Sequence, residues 1–367
     1  MDVSAVDLSE AAAAIFAEPV TIRQWQGERI AYESGSPATG GLLRVHGTTT
    51  DGRTFRVFVK LVQHARHWPR LHLLPAYLRD SFAAQFPWRQ ELAAWDTDFA
   101  GRLPAGLRVP VLYRVADVGD DRLMLYMEDI DACADSTWDL PRFERAATLL
   151  GGLAALRGTA EAIAANPYAP GWGLRGYIAG RVQQGALPLL DDDGLWRHPL
   201  LAEADPDLRS DLRRLARALP AILDRLDALP QAVPHGDASP QNLLIPRDEP
   251  DALVAIDISF QGPHAVGFDL GQLLIGLAHA GLLDVGLLAD VHDVLVPAFL
   301  TGLRAYGGRA DADEVTYGYV GSLVARAAFT SLPFELLGAP ATPETEAVFR
   351  QRLALTRFLA DLGATLR

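Results

Sequence analysis

The pattern of apolar and polar positions divides the chain into a strand-rich opening and a helix-rich remainder. A short helix is predicted over SEAAAAIF, residues 9–16, opened by Ser9. The pattern then turns to strands in ERIAYES (28–34), GLLRVHGTT (41–49) and TFRVFVKLV (54–62). Asp51-Gly52 joins the last two and marks a hairpin, because both residue types tolerate positive φ. GSPATGG, residues 35–41, is a small-residue loop between the first two strands. Leu92, Trp95 and Phe99 fall at helical spacing in WRQELAAWDTDFA (88–100), which places Glu91 on a helix soon after the hairpin. RVPVLYRVAD (108–117) and RLMLYMED (122–129) read as two further strands.

Helical patterns then dominate, over 142–157, 207–229, 284–305, 312–337 and 343–364. In the second of these Leu208, Leu212, Leu215 and Leu219 share a face, and Pro220 is expected to kink or divide it. One hairpin interrupts the helical half. PHGDASPQNLLIP followed by ALVAIDISFQGP reads as a loop, a strand over 243–245, a turn over 246–251 and a strand over 253–258. The fold class expected is α+β: a smaller lobe of antiparallel sheet plus helix over 1–128, then a larger, mainly helical lobe over 129–367.

Length agrees with two lobes, since 367 residues is long for one hydrophobic core. A formal net charge of -13 disfavours a nucleic-acid backbone as partner and mildly favours a cationic or neutral ligand. The opening MDVSAVDLSEA lacks a basic segment followed by an apolar core, no long apolar run is free of polar interruption, and no protein partner is implied. The single cysteine, Cys133, permits no internal disulfide. These features set the expectation of a cytoplasmic protein that acts away from the membrane.

Candidate chemistry gathers on the small hairpin. Asp237 and Asn242 bracket one loop and Asp257 lies near the end of the partner strand, so two carboxylates and an amide can converge. Oxygen donors of this kind hold Mg²⁺ beside substrate phosphates, although one of the carboxylates could serve as a base instead. HGDASPQN (235–242), with its Asp and Asn five apart, resembles the catalytic loop of kinase-like phosphotransferases, and AID (255–257) resembles their metal-binding Asp segment. The His-Gly-Asp form, and GFDLGQL at 267–273, are similar to the aminoglycoside phosphotransferase family and its small-molecule kinase relatives.

The resemblance implies a protein-kinase-like two-lobed fold, ATP and Mg²⁺ as cofactors, and a small-molecule hydroxyl as acceptor. It implies Asp237 as catalytic base, Asn242 and Asp257 as metal ligands, and Lys60 paired with Glu91 on the nucleotide phosphates. Met127, Glu128 and Asp129 would form the hinge whose backbone meets the adenine, while His235 and Asp269 would brace the loop. Within that family acceptors bind in the helical lobe, often against acidic side chains, which makes Asp191, Asp192, Asp193 and Trp196 a substrate-lining guess. By itself the acidic run is most simply a solvated turn. His64, His67 and His72 likewise read as a polar surface loop, because no carboxylate stands at zincin spacing.

Lys60 is the only lysine among 33 basic residues. A compact ammonium fits a site crowded by phosphates, Mg²⁺ and Glu91 where a broad guanidinium does not, which explains its retention in an arginine-using chain. Several departures from the family pattern narrow the expectation. No Gly-x-Gly-x-x-Gly loop is present, so the phosphate cover would come from Gly35 to Gly41. Only eleven residues separate Asp257 from Asp269, too few for an activation segment, which disfavours a protein kinase. The activity expected is ATP-dependent O-phosphorylation of an aminoglycoside-like antibiotic or hydroxylated metabolite. A metabolic kinase of an amino alcohol or sugar is the alternative within that class, and a nucleotide-binding pseudokinase the alternative outside it.

Overall fold

Two compact units make up the computed structural model, which describes residues 2–31, 35–132, 138–167, 172–258, 262–338 and 341–366, the side chains of 97 and 98 excepted. Cys133, Ser259 and the end of the expected 28–34 strand lie outside the described residues. The first unit comprises 1–101, 108–134 and 244–256, and the second 102–107, 135–243 and 257–367. The division is therefore not a single cut after residue 128: the hairpin segment 244–256 belongs to the strand-rich unit, since its own strands are too short to make a core.

In the first unit β1 (Ile22–Arg29), β2 (Thr39–Thr49), β3 (Thr54–Gln63), β5 (Leu112–Asp117) and β6 (Arg122–Met127) form an antiparallel sheet in the order β1-β2-β3-β6-β5. The short β4 (Leu107–Arg108) joins a second sheet, of order β4-β9-β8, with β8 (Leu243–Leu244) and β9 (Leu253–Ala255). Alternation gives the larger sheet two apolar faces. Val45, Phe55, Val57, Val59 and Met124 pack on Leu8, Ala11 and Ala12 of the helix Ala5–Phe16. Val62, Leu125 and Met127 take Phe58, Trp88, Leu92 and Trp95 on the other face. Lys60 stands on β3 opposite Leu42 of β2 and Leu125 of β6, in register with this second cluster.

Several elements differ from their sequence expectations. The first helix begins at Ala5, because the Ser4 side chain accepts the Asp7 N–H and caps it there. The first strand covers 22–29 instead of 28–34, paired with β2 from Ile22↔Thr49 to Arg29↔Leu43. At the β2-β3 turn only Gly52 has positive φ, at +90°, while Gly52 N–H donates to the Thr49 carbonyl at 3.0 Å. That is the longer hairpin loop with glycine in the left-handed position, not a two-residue turn. The segment 88–100 forms a 3₁₀ helix, Gln90–Trp95, and a short helix, Thr97–Ala100, while the helix Ala76–Gln85 was not anticipated.

The second unit is built on the helices Leu140–Arg157, Leu208–Ala228, Asp269–His279, Leu288–Ala305, Ala312–Ala327 and Pro343–Ala364. Pro220 neither divides nor ends its helix; it is exposed, while Leu212, Leu215, Leu219 and Leu226 hold the buried face. The fourth expected helix stops at Ala327 instead of 337, with Pro333 before a 3₁₀ turn at Phe334–Gly338. The strand pair β7 (Gln231–Ala232) and β10 (His264–Ala265) closes the base of the loop that carries Asp237.

Segment 285–305 is apolar and long enough to cross a membrane by length and composition alone, and 33% of its apolar window is buried inside the fold. The helices Leu140–Arg157 and Leu288–Ala305 touch backbone to backbone, because a Cβ at Gly151 would collide with the Phe299 carbonyl and one at Gly302 with the Thr148 carbonyl. Substituting Gly302→Ala is expected to force these helices apart at a cost of about 3 kcal/mol. Differential scanning calorimetry should show the melting temperature lowered by roughly 6–12 °C.

Candidate active site

Lys60 and Glu91 form the charged centre of the first unit. Lys60 Nζ lies 2.8 Å from Glu91 Oε1 and 2.7 Å from Oε2, and both residues are 8% exposed. Two buried charges persist only when paired and further bonded, and here each is the other's counter-charge. The expected helix under Glu91 is a 3₁₀ turn whose Leu92 and Trp95 anchor on the apolar face beside β3, with Trp95 Nε1 donating to the Pro110 carbonyl at 2.7 Å.

The hinge candidates belong to the same unit. Met127 ends β6 and is buried. Glu128 accepts from Arg108 at 2.7 and 3.0 Å and from the Val111 N–H at 3.0 Å, while its own N–H donates to the Val111 carbonyl at 2.8 Å. The Asp129 side chain is 1% exposed and held by Arg44 Nε at 2.8 Å and Arg56 Nη2 at 2.8 Å. Arg44 and Arg56 were not singled out from sequence, where they are two of many arginines on strands. Of the Gly35–Gly41 loop, residues 39–41 lie inside β2, so the loop proper is shorter than expected.

In the second unit the loop 235–242 is organised by a buried carboxylate. Asp269, 4% exposed at the start of its helix, accepts the His235 N–H on Oδ2 at 2.9 Å and the Gly236 N–H on Oδ1 at 2.8 Å. Gly236 has φ +89°, a left-handed conformation that glycine adopts without the Cβ penalty. Asp237 N–H donates to His235 Nδ1 at 3.3 Å, which makes His235 a brace of the loop. Arg157, fully buried, supports the approach to the loop by donating to the Val233 carbonyl at 3.1 Å.

Asn242 closes the loop: its Nδ2 donates to the Asp237 carbonyl at 2.9 Å and to Asp237 Oδ2 at 3.3 Å. Spending the amide nitrogen this way leaves Oδ1 as the atom a hard cation would use. Asp257, which follows β9, has φ +58°, a conformation unusual for a non-glycine residue. Burial pushes the Asp237 carboxyl above its usual range; Arg326 opposes this, and the like charge of Asp257 adds to it. Asp237 and Asp257 are thus close enough to feel each other.

That donor set fits Mg²⁺. Among the described residues no three His, Cys, Asp or Glu side chains form a self-contained cation cage. Mg²⁺ is characteristically held by one or two carboxylates together with water and substrate phosphates, and Asn242 Oδ1 and Asp257 are the oxygen donors here that could hold it.

The acidic run lies against the helix Leu208–Ala228. Asp191 pairs with Arg213 at 2.8 Å and Asp193 with Arg209 at 2.7 Å, while Asp192 Oδ1 accepts the Gly194 N–H at 2.7 Å. Trp196 sits edge-on to Phe334, beneath Arg209. Sequence reasoning missed Arg326, whose guanidinium lies at the loop. Its one visible mark is a charge in the apolar stretch GSLVARAAF, 321–329.

No protein-family model and no curated protein matches the sequence, whereas solved structures do. The chain is similar to an aminoglycoside phosphotransferase from Alicyclobacillus acidocaldarius, at 17% identity and a TM-score of 0.53, over 99% of this chain and 96% of that one. It is also similar to a microcompartment-associated aminopropanol kinase, at 14% identity and a TM-score of 0.51, over 98% of this chain and 100% of that one. At such identities the likeness establishes the fold: the chain has the kinase-like fold of these two proteins.

Burial raises the Asp269 carboxyl to about 6, against the pull of the two N–H groups and Arg326. A folded-state value above the unfolded one adds stability that is complete below about pH 4 and lost as pH rises through about 6. Wild type should therefore gain about 2 kcal/mol over Asp269→Asn between pH 7.5 and 4.5, read by urea unfolding. His279, lowered by burial to about 4, has the opposite slope, loses stability as pH falls below its unfolded value, and cancels in the difference.

Proposed function

We propose that the chain is an O-phosphotransferase that moves the γ-phosphoryl group of ATP to a hydroxyl of a small molecule. The observation that carries this reading is the closed loop in which Asn242 ties down Asp237 beside Asp257. Asp237 orients the acceptor hydroxyl and takes its proton. The acceptor oxygen bonds to the γ-phosphorus as the bond from that phosphorus to the β-phosphate oxygen breaks, and ADP leaves. Lys60, fixed by Glu91, binds the α- and β-phosphates, and backbone groups of Met127 to Asp129 meet the adenine. Mg²⁺, when bound by Asn242 and Asp257, supplies neutralising charge to the phosphates. The kinase-like fold and the intact set Lys60, Glu91, Asp237, Asn242 and Asp257 support this over a pseudokinase.

The acceptor class is set by experiment. Incubation with γ-labelled Mg-ATP and pools of aminoglycosides, other antibiotics, amino alcohols, sugars and host metabolites should label one pool. Asp237→Ala should lower the rate by roughly 10²- to 10⁴-fold. Nucleotide binding without transfer to any pool would favour the pseudokinase instead.

The lone lysine makes a second demand. Lys60→Arg keeps the charge but spreads it over a planar fork that Glu91 and the α- and β-phosphates cannot all accommodate. Steady-state kinetics should show kcat/KM for Mg-ATP reduced by roughly 10- to 100-fold. Wild-type values in this variant would refute the account of why lysine is kept.

A further inference from the structure

The helix Ala312–Ala327 is built for the interior, with Val315, Tyr319, Val320, Leu323 and Val324 buried. Close to its C-terminus it places Arg326, half-buried, at the loop of Asp237. Arg326 Nη1 donates to the Gly236 carbonyl at 3.2 Å. The guanidinium carbon is 5.3 Å from the centre of the Phe268 ring and 5.6 Å from that of Tyr177. Gly236 is thereby gripped at both ends, since its N–H donates to Asp269 and its carbonyl accepts from Arg326. That carbonyl belongs to the peptide leading into Asp237. A glycine at φ +89° has no side chain to hold its peptides in place, so their orientation depends on these two grips.

We propose that Arg326 is a positioning residue: with its guanidinium beside the Phe268 and Tyr177 rings, its N–H edge holds the Gly236–Asp237 peptide and so sets where Asp237 presents its carboxylate to the acceptor hydroxyl. The inference rests on the reading of Asp237 as the base. A guanidinium suits the task because its faces can lie near aromatic rings while its edge donates in a fixed direction. An ammonium at the end of a lysine could reach the carbonyl but would fix no plane, and Asp237 and Asp269 would be left with a less directional counter-charge.

The test uses the full-length chain as Arg326→Ala and Arg326→Lys, with two readouts. Hydrogen exchange by mass spectrometry should show peptides spanning 233–238 loosened about tenfold in Arg326→Ala, with the helix Leu140–Arg157 unchanged. Phosphate transfer to the acceptor found for wild type should lose roughly 10- to 100-fold in kcat, with KM for Mg-ATP within about twofold. Added guanidinium ion should restore about fivefold or more in Arg326→Ala, and Arg326→Lys should remain impaired. Unchanged exchange at 233–238 overturns the proposal whatever the turnover. Loosening with wild-type kcat also overturns it, as does a kcat loss that guanidinium leaves untouched. If wild type transfers phosphate to nothing, the phosphotransferase reading fails by itself, and exchange alone decides whether Arg326 holds the loop.

Discussion

The buried carboxylate of Asp269 is the constraint on which the 235–242 loop depends. Its two oxygens accept from consecutive backbone N–H groups, of His235 and Gly236, in a place from which water is excluded. Without that acceptor two donors would be stranded in the interior, at a cost of about 1–3 kcal/mol each. With it, the chain can take the left-handed step at Gly236 that leads into Asp237. The price is an acid held near its own titration range, which is tolerable because the same two N–H groups favour the ionised form.

Charge in each unit is arranged around a few cations whose shapes matter as much as their sign. In the first, an ammonium meets Glu91 at a single buried point, whereas guanidinium groups of Arg44, Arg56 and Arg108 fasten Asp129 and Glu128 from several directions. The second uses Arg157 and Arg326 to hold backbone carbonyls at 233 and 236. An arginine can bridge a carbonyl and an aromatic ring, or reach around a carboxylate, because its donors lie in one plane. Lysine is kept where a point charge is wanted.

Local pattern carried the strands and most helices, because burial on one face imposes its period on the residues themselves. Leu208, Leu212, Leu215 and Leu219 announce their helix, and the segment 343–364 is helical over the expected span. Errors fall where a neighbour outside the window decides. Glu91 sits on a 3₁₀ turn because Trp95 and Leu92 are drawn onto the sheet, and Pro220 passes through its helix because the face it disturbs is exposed. Ser4, rather than Ser9, caps the first helix because only its side chain reaches the free N–H of Asp7.

The two kinds of secondary structure, the order Lys60, Glu91, Asp237, Asn242, Asp257, and the hairpin around which the last three lie are legible in the residues alone. These are local or nearly local properties: alternation, turn residues, and short spacings that backbone geometry converts directly into proximity. Packing is what brings Asp269 to His235 and Gly236, Arg44 and Arg56 to Asp129, and Arg326 to the Gly236 carbonyl from 90 residues away. The reason is physical: a buried polar group must find a partner, but which partner it finds is set by how the helices and strands pack, and packing leaves no fixed spacing along the chain.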